Sequence, residues 1–209
     1  MSEENKLTDS EAAHLSSPMP NSLLGLMGRK QSGKDTVAEH LVEEYGFVRY
    51  AFADPIKKAC QEAFGFNWEQ SWGKDKEVVD PRWGITPRKV FQIFGTELFQ
   101  YELPKHAPEL ADIGRTFWAY RFALWYEEQI SKVPELKVVI TDVRFPFEAD
   151  LVNKLGGIIV KITRPNLTNT DMHASEQEME SIQYKYAIEN NGTLEDLRVN
   201  VDRMFSLAF

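Results

Sequence analysis

An α/β fold, with a parallel sheet between two helical layers, is predicted for this 209-residue chain by three observations. Continuous apolar runs at 22–27, 47–53, 136–142 and 158–165 have the character of strands buried on both faces. The stretches separating them carry helical apolar spacing, so strands and helices alternate. Hydrophobic residues make up 43% of the chain and aromatics 12%, enough to bury a full core.

Residues 1–21, MSEENKLTDSEAAHLSSPMPN, are polar and lack a sustained apolar period, so they read as a disordered or loosely attached arm before a single domain at 22–209. SLLGLM (22–27) is the first strand. From Asp35 onward Val37, Leu41 and Tyr45, with Ala38 and Val42, mark one helical face. FVRYAFA (47–53) reads as the second strand, and a helix from Pro55 to Phe64 takes proline in its first turn. Residues 65–86, rich in Trp, Gly, Asp and Lys, read as an irregular excursion. A helix from Pro87 to about Tyr101 aligns Val90, Phe94 and Leu98, and another from about Arg115 to Ser131 aligns Trp118, Phe122 and Trp125. Together these form a helical substrate-side insertion over about 54–134.

LKVVITD (136–142) is the next strand, PFEADLVNKLGG (146–157) a short helix stopped by glycines, and IIVKITRP (158–165) another strand. YAIENNG (186–192) supplies a last strand. Thr193 with Asp196 then caps a terminal helix bearing Leu194, Leu197, Val201 and Met204.

The formal net charge of −8 argues against a protein that binds nucleic acid through a broad basic surface. A single cysteine, Cys60, cannot form an intramolecular disulfide or a multi-thiolate metal site, and its helix-forming neighbours suit a small packed residue. Nothing resembles a signal peptide or a membrane span, so the chain reads as cytoplasmic, without a membrane partner.

The chemistry starts in LMGRKQSGKDTVAEHL (26–41). Gly28, four residues, Gly33 and Lys34 have the spacing of a phosphate-binding loop (P-loop). Its glycines let successive backbone N–H groups converge on an anion, and the helix that follows points its positive end there. Lys30 lies within the loop, and Lys34 would reach the β- and γ-phosphates of a nucleotide. The residue after Lys34 is usually Ser or Thr, whose hydroxyl binds magnesium; here Asp35 stands there, followed by Thr36. Either Asp35 or Thr36 would serve the metal.

GRKQSGKDT, ADPIKKA, RKVFQIFGTELF, RTFWAYRFA, TDVRFPFEADLVNKLGG, VKITRP and IENNGTLEDL occur in this order. With them the chain, over about residues 22–205, resembles the phage-type deoxynucleoside monophosphate kinases. It is similar also to the wider nucleoside-phosphate kinase group that includes dephospho-coenzyme A kinases. The resemblance implies a three-layer P-loop fold with a mobile substrate-binding insertion. It also implies transfer of the γ-phosphoryl group of ATP, with Mg2+, to a deoxynucleoside monophosphate, supplying DNA precursors in the host cytoplasm of a phage-infected cell. In that family Gly-Lys-Asp-Thr is the loop's own pattern, so Asp35 departs from the general motif and not from the family.

A phosphate monoester is largely ionised at neutral pH, so the acceptor needs no general base; the difficulty is the meeting of two polyanions. Arginines outside the loop therefore matter. Asp142 ends an apolar strand, where a sheet delivers side chains to a ligand crevice, and Arg144 follows. The resemblance makes Asp142 a magnesium or substrate contact and Arg144 a contact to acceptor phosphate or nucleotide; a strand-end ion pair is the alternative. It favours Arg88 and Arg115 over Arg121 as guanidinium forks for the acceptor phosphate. Trp118 is a candidate wall for a base, with core packing at least as good an account of its spacing. By resemblance Arg164 is a lid-region arginine reaching ATP phosphates, a lid spans about 164–180, and Asn191 and Gly192 lie beside the adenine. Asp54 is placed to orient acceptor sugar or magnesium, with Lys57 nearby, while His173 reads as a capping or surface histidine.

Two rival functions stay in view. One is a kinase of another phosphorylated acceptor, of the dephospho-coenzyme A kind, in which Asp54 would act as base. The other is a nucleotide-binding switch or accessory ATPase working through a partner. A homodimer is consistent with the resemblance and the many aromatics.

Overall fold

The computed structural model describes residues 23–165 and 178–209. The expected arm at 1–21, most of the expected lid and His173 lie outside the described residues. In chain order the elements are β1 (Leu23–Met27), α1 (Lys34–Tyr45), β2 (Val48–Tyr50), α2 (Ala53–Phe64), α3 (Trp68–Ser71), α4 (Pro87–Gln92), α5 (Leu103–His106), α6 (Phe117–Lys132), β3 (Val138–Val143), α7 (Pro146–Lys154), β4 (Ile158–Thr163), β5 (Tyr186–Glu189) and α8 (Leu194–Ala208). They fall into two compact units, one running to Ala51 and resuming at Ala123, the other comprising Phe52–Phe122.

The first unit is built on a wholly parallel sheet of order β2-β3-β1-β4-β5 among the described residues. Central β1 is buried throughout. On one face Leu24, Leu26, Val139, Val160 and Ile162 meet Val37 and Leu41 of α1 and Leu197, Val201 and Met204 of α8. On the other face a Cβ at Gly25 would stand 2.7 Å from Ile159 Cδ1 and 3.5 Å from Val152 Cγ2 of α7, so any larger residue there would displace the Ile159 side chain. The connections leaving β1 and β3 run to opposite sides of the sheet, which places a ligand crevice at the carboxyl ends of these two strands.

β1 and β3 run in register from Leu23–Val138 to Gly25–Ile140 and resume at Met27–Val143, so β3 holds one extra residue over Thr141 and Asp142. A bulge of this kind re-aims the side chains beside it. The capping box of α8 is present, with Asp196 N–H donating to Thr193 Oγ1 at 3.2 Å and Thr193 N–H to Asp196 Oδ2 at 2.8 Å. Leu194, in the first turn, is exposed, whereas Leu197, Val201 and Met204 are buried. His40 Nε2 (2.6 Å) and the Tyr45 hydroxyl (2.7 Å) both bond Asp202 Oδ1, tying α1 to α8.

The strand expected at 47–53 is shorter. Ala51 and Phe52 are buried without ladder pairing, and the chain turns helical at Ala53; an apolar run reports burial, not strand pairing.

In the second unit Cys60, Phe66, Val90 and Phe91 form a small core with Ile56, Phe64, Ile85 and Phe94 around it. Burial pushes the Cys60 thiol up to about 11, as befits a packed residue. The excursion at 65–86 contains α3, a 3-10 turn at Lys74–Glu77 and a bridge from Asp80 to Ile85. Asp80 organises it. Its buried carboxylate accepts bonds from Arg82 Nη2 at 2.6 Å, Gln70 Nε2 at 2.7 Å and Arg82 N at 2.9 Å, while Arg82 Nη2 also reaches Gly65 O at 3.1 Å. The Arg82 guanidinium holds the Asp80 carboxyl well below the usual carboxylate range.

The single helix expected from Pro87 to Tyr101 changes type. α4 ends at Gln92 and Ile93–Glu102 is π-helical. The wider turn, bonded i to i+5, breaks the 3.6-residue period, so Leu98 is exposed while the rings of Phe94 and Phe99 lie 4.8 Å apart. Before α6 the chain makes a 3-10 turn at Gly114–Thr116. Among the described residues no helix is long and apolar enough to cross a membrane.

Candidate functional site

The loop after β1 is shaped by residues with positive φ. Gly28 has φ +152°, and a Cβ there would stand 2.3 Å from the Ile162 carbonyl oxygen of β4. Gly33 has φ +105° and lies against Asn190, whose Nδ2 donates to Ser32 O at 3.0 Å. Gln31, between them, is left-handed as well. The Lys34 ammonium donates to the Gly28 and Arg29 carbonyls, at 2.6 and 2.8 Å, so it sits over the loop's own mouth. Behind it α1 directs the N-terminus of a twelve-residue helix at the same point. Asp35, exposed in the first turn, accepts a bond from Arg49 of β2; Thr36 is half-buried. Lys30 is exposed.

At the end of β3, Asp142 is half-buried on the bulge and Arg144 is exposed. Glu148, in the first turn of α7, is 6% exposed, and its Oε2 accepts the backbone N–H groups of Arg144 at 2.7 Å and Phe145 at 3.1 Å. Burial, reinforced by the Asp142 charge, pushes its carboxyl up to about 8 against the pull of those two donors.

Past β4, Arg164 borders a cavity of about 360 Å³ together with Gly28, Arg29, Ser32, Thr163 and Glu180. Arg29 pairs with Glu180 at 2.8 Å, and the buried Ser32 hydroxyl finds no hydrogen-bond partner among the described residues. After β5, Asn191 Nδ2 reaches Glu189 Oε2 at 3.3 Å, and Gly192 lies so close to Asp196 that a Cβ would stand 2.5 Å from its Oδ2.

The remaining candidates belong to the second unit. Asp54 Oδ1 accepts the Trp72 indole N–H at 2.9 Å and has Lys57 Nζ at 3.8 Å, with that ammonium 5.7 Å from the Trp72 ring centroid. Arg88 Nε donates to Glu77 Oε1 at 3.0 Å, and Arg115 is half-buried in the 3-10 turn. Trp118 is 8% exposed, packs on the Phe99 and Phe117 rings and donates its indole N–H to Gly95 O at 2.7 Å. Arg121 is exposed.

Lys34, Asp35 and Thr36 thus share one helix end, and Arg164 shares a cavity with the loop. Sequence reasoning missed Glu148, Arg49, Asn190 and Ser32. Glu148 carried a signal, an acid in the first turn after the Asp-x-Arg segment; Arg49 and Asn190 act through tertiary contacts that no local pattern announces.

The loop can hold a polyanion. Among the described residues no group of three or more His, Cys, Asp or Glu side chains is disposed to cage a metal. Thr36 and Asp142 offer oxygen donors of the kind that magnesium takes, one or two from a protein with phosphate and water filling its shell.

The profile of the deoxynucleotide monophosphate kinase family matches residues 22–80 and 75–201. A protein of Acanthamoeba polyphaga mimivirus, provisionally named a deoxynucleotide monophosphate kinase, is 44% identical over 178 residues, covering 83% of this chain and 91% of its own. The deoxynucleotide monophosphate kinase of Enterobacteria phage T4 is 23% identical over 229 residues, covering 84% and 95%. Among solved structures, a dephospho-CoA kinase from Campylobacter jejuni is similar with a TM-score of 0.45 and 15% identity, over 90% of this chain and 97% of that one.

Proposed function

The chain belongs to the deoxynucleotide monophosphate kinase family, and on that premise we propose that ATP, with Mg2+, donates the γ-phosphoryl group that it transfers to a deoxynucleoside monophosphate. The observation that carries the donor side is Lys34, lodged over a glycine loop at the N-terminus of α1. Its two carbonyl partners exchange for phosphate oxygens when nucleotide binds, with the backbone amides of the Gly28–Gly33 turn around the same anion. Arg164 and Lys30 add positive charge to the donor phosphates, and Asn191 and Gly192 flank its adenine.

Thr36, Asp142 and Asp35 are the oxygens that would hold magnesium, which would supply positive charge against the negative charge of the transferred group. The acceptor's nucleophile is an already ionised phosphate oxygen, so no residue need remove a proton from it. The protein's task is to orient and to offset charge. By resemblance to the family, Arg88, Arg115 and Arg144 are each assigned to the acceptor phosphate, Asp54 and Lys57 to its sugar, and Trp118 to the support of a pocket wall. The reaction runs in the cytoplasm, and the working form is a homodimer, which light scattering checks.

The test is ATP turnover with dAMP, dGMP, dCMP, dTMP and the four ribonucleoside monophosphates, with products identified. A deoxynucleoside diphosphate is expected, and Lys34→Ala is expected to lower kcat by about 10²–10³-fold, the usual effect of removing one transition-state donor. ADP formed without any diphosphate product would favour the accessory ATPase, and turnover only with another phosphorylated acceptor would favour the dephospho-coenzyme A kind of kinase.

A further inference from the structure

Glu148 stands outside the mechanism above. It occupies the third position of α7, after Pro146 at the first, where a carboxylate reaches back to cap the turn before the helix. A cap needs one bond, the 3.1 Å contact from Phe145 N–H. Glu148 makes a second and shorter one, 2.7 Å, from the N–H of Arg144, a residue outside the helix. It does so while 6% exposed and beside a second acid, Asp142. Helix-capping acids gain most of their stability at no such expense, exposed and near the positive end of the helix. Burying one carboxyl next to another disfavours a purely structural cap, and departures of this kind from local rules concentrate at functional sites.

We propose that Glu148 is a positioning residue for Arg144, its single oxygen holding two consecutive N–H groups and so fixing the point from which the Arg144 side chain leaves the backbone. The stacked Phe145 and Phe147 rings, 5.3 Å apart and 7° from parallel, brace the same turn. A guanidinium stands several bonds from its Cα, so a small rotation of the turn becomes a large displacement at the phosphate. Misplacement by about 1 Å is enough to lower a rate about 10²-fold. The inference rests on the kinase reading, because its measure is turnover of the monophosphate.

The experiment is a double-mutant cycle on the full chain with a deoxynucleoside monophosphate and ATP, varying each in turn. Glu148→Ala is expected to lower kcat/KM for the monophosphate at least about tenfold, leaving KM for ATP within about twofold. In an Arg144→Ala background the same substitution is expected to change it less than about threefold, since the group it positions is gone. Glu148→Gln, whose amide oxygen accepts the same two N–H groups, is expected to stay within about threefold of the parent. Multiplicative effects of E148A and R144A, an E148Q as impaired as E148A, or an E148A of parental activity would each overturn the proposal. If E148A does not fold, Glu148→Asp, which withdraws the oxygen by one methylene, completes the same cycle with the same two readings. A parent enzyme that forms no diphosphate would undo the kinase reading instead, and is seen before any variant is made.

Discussion

In the sheet unit Lys34, Asn190 and Glu148 are held by the main chain, whereas in the helical unit Arg88 and Asp54 are held by other side chains. Lys34 bonds two loop carbonyls, Asn190 bonds the carbonyl of Ser32, and Glu148 bonds two backbone N–H groups. Across Phe52–Phe122, Arg88 pairs with Glu77 and Asp54 with Trp72, side chain to side chain, while Trp118 bonds the Gly95 carbonyl. Main-chain partners fix where a group starts before any ligand arrives, even where, as proposed for Lys34, they are then exchanged for phosphate oxygens. Partly exposed side-chain pairs contribute little net energy and exchange readily for a ligand, which suits the selection of an acceptor.

The sharpest way to break this contrast is to disturb the main chain of the loop alone. In Gly28→Ala the new Cβ would press on the Ile162 carbonyl oxygen, which belongs to a sheet strand and cannot yield. The loop must move, and kcat/KM is expected to fall about 10²-fold or more. Gly33→Ala meets first the Asn190 side-chain amide, at 2.6 Å, which can shift at the expense of its bond to the Ser32 carbonyl. Its loss is expected to be smaller, though φ +105° still strains the new residue by about 1 kcal/mol or more. Steady-state kinetics on the two variants measures the difference, and equal losses would mean that the identity of the wall does not matter.

The same contrast explains what could be read from the sequence. The sheet unit was legible because β1, β3 and β4 are apolar runs buried almost throughout and the loop advertises its glycines; these three strands begin and end within a few residues of expectation, and α8 begins at its expected cap. Asp142 and Arg144 do fall at the end of β3, yet the bulge that aims Asp142 is a matter of register with β1, which no local pattern contains. The helical unit was less legible. RKVFQIFGTEL has good α-helical spacing, and only its tertiary setting, with Gly95 against Ile56 and its carbonyl taken by Trp118, accompanies the π-helical turn that moves Leu98 out and Phe99 in.

A middle-sized effect is expected where the helical unit depends on buried Asp80 and the exposed Arg82 that pairs with it. Asp80→Asn keeps the shape of the side chain but removes the charge that Arg82 answers, and a Tm several degrees lower at pH 7 is expected. The pH dependence has a definite sign. Because the folded carboxyl lies below its ordinary value near about 3.9, its contribution is complete above that value and is lost as pH falls from there toward the folded value. The Tm gap between parent and variant is therefore expected to be level from pH 8 to about 5 and to narrow below about 4. A gap that widened on acidification would assign the stability of the excursion to some other group.

The smallest expected effect falls on Trp118, and it separates support of a pocket from contact with a base. Trp118→Phe keeps a ring against Phe99 and Phe117 but removes the indole N–H that satisfies the Gly95 carbonyl. A neutral hydrogen bond contributes about 1 kcal/mol net, so Tm is expected to fall by about 2–4 °C. With the indole 8% exposed, a base has little of its face to touch, and KM for the monophosphate is expected to stay within about twofold of the parent. A tenfold rise in KM with Tm unchanged would instead put the indole in direct contact with the acceptor, and the helical unit would then hold its ligand by a fixed wall as well as by exchangeable pairs.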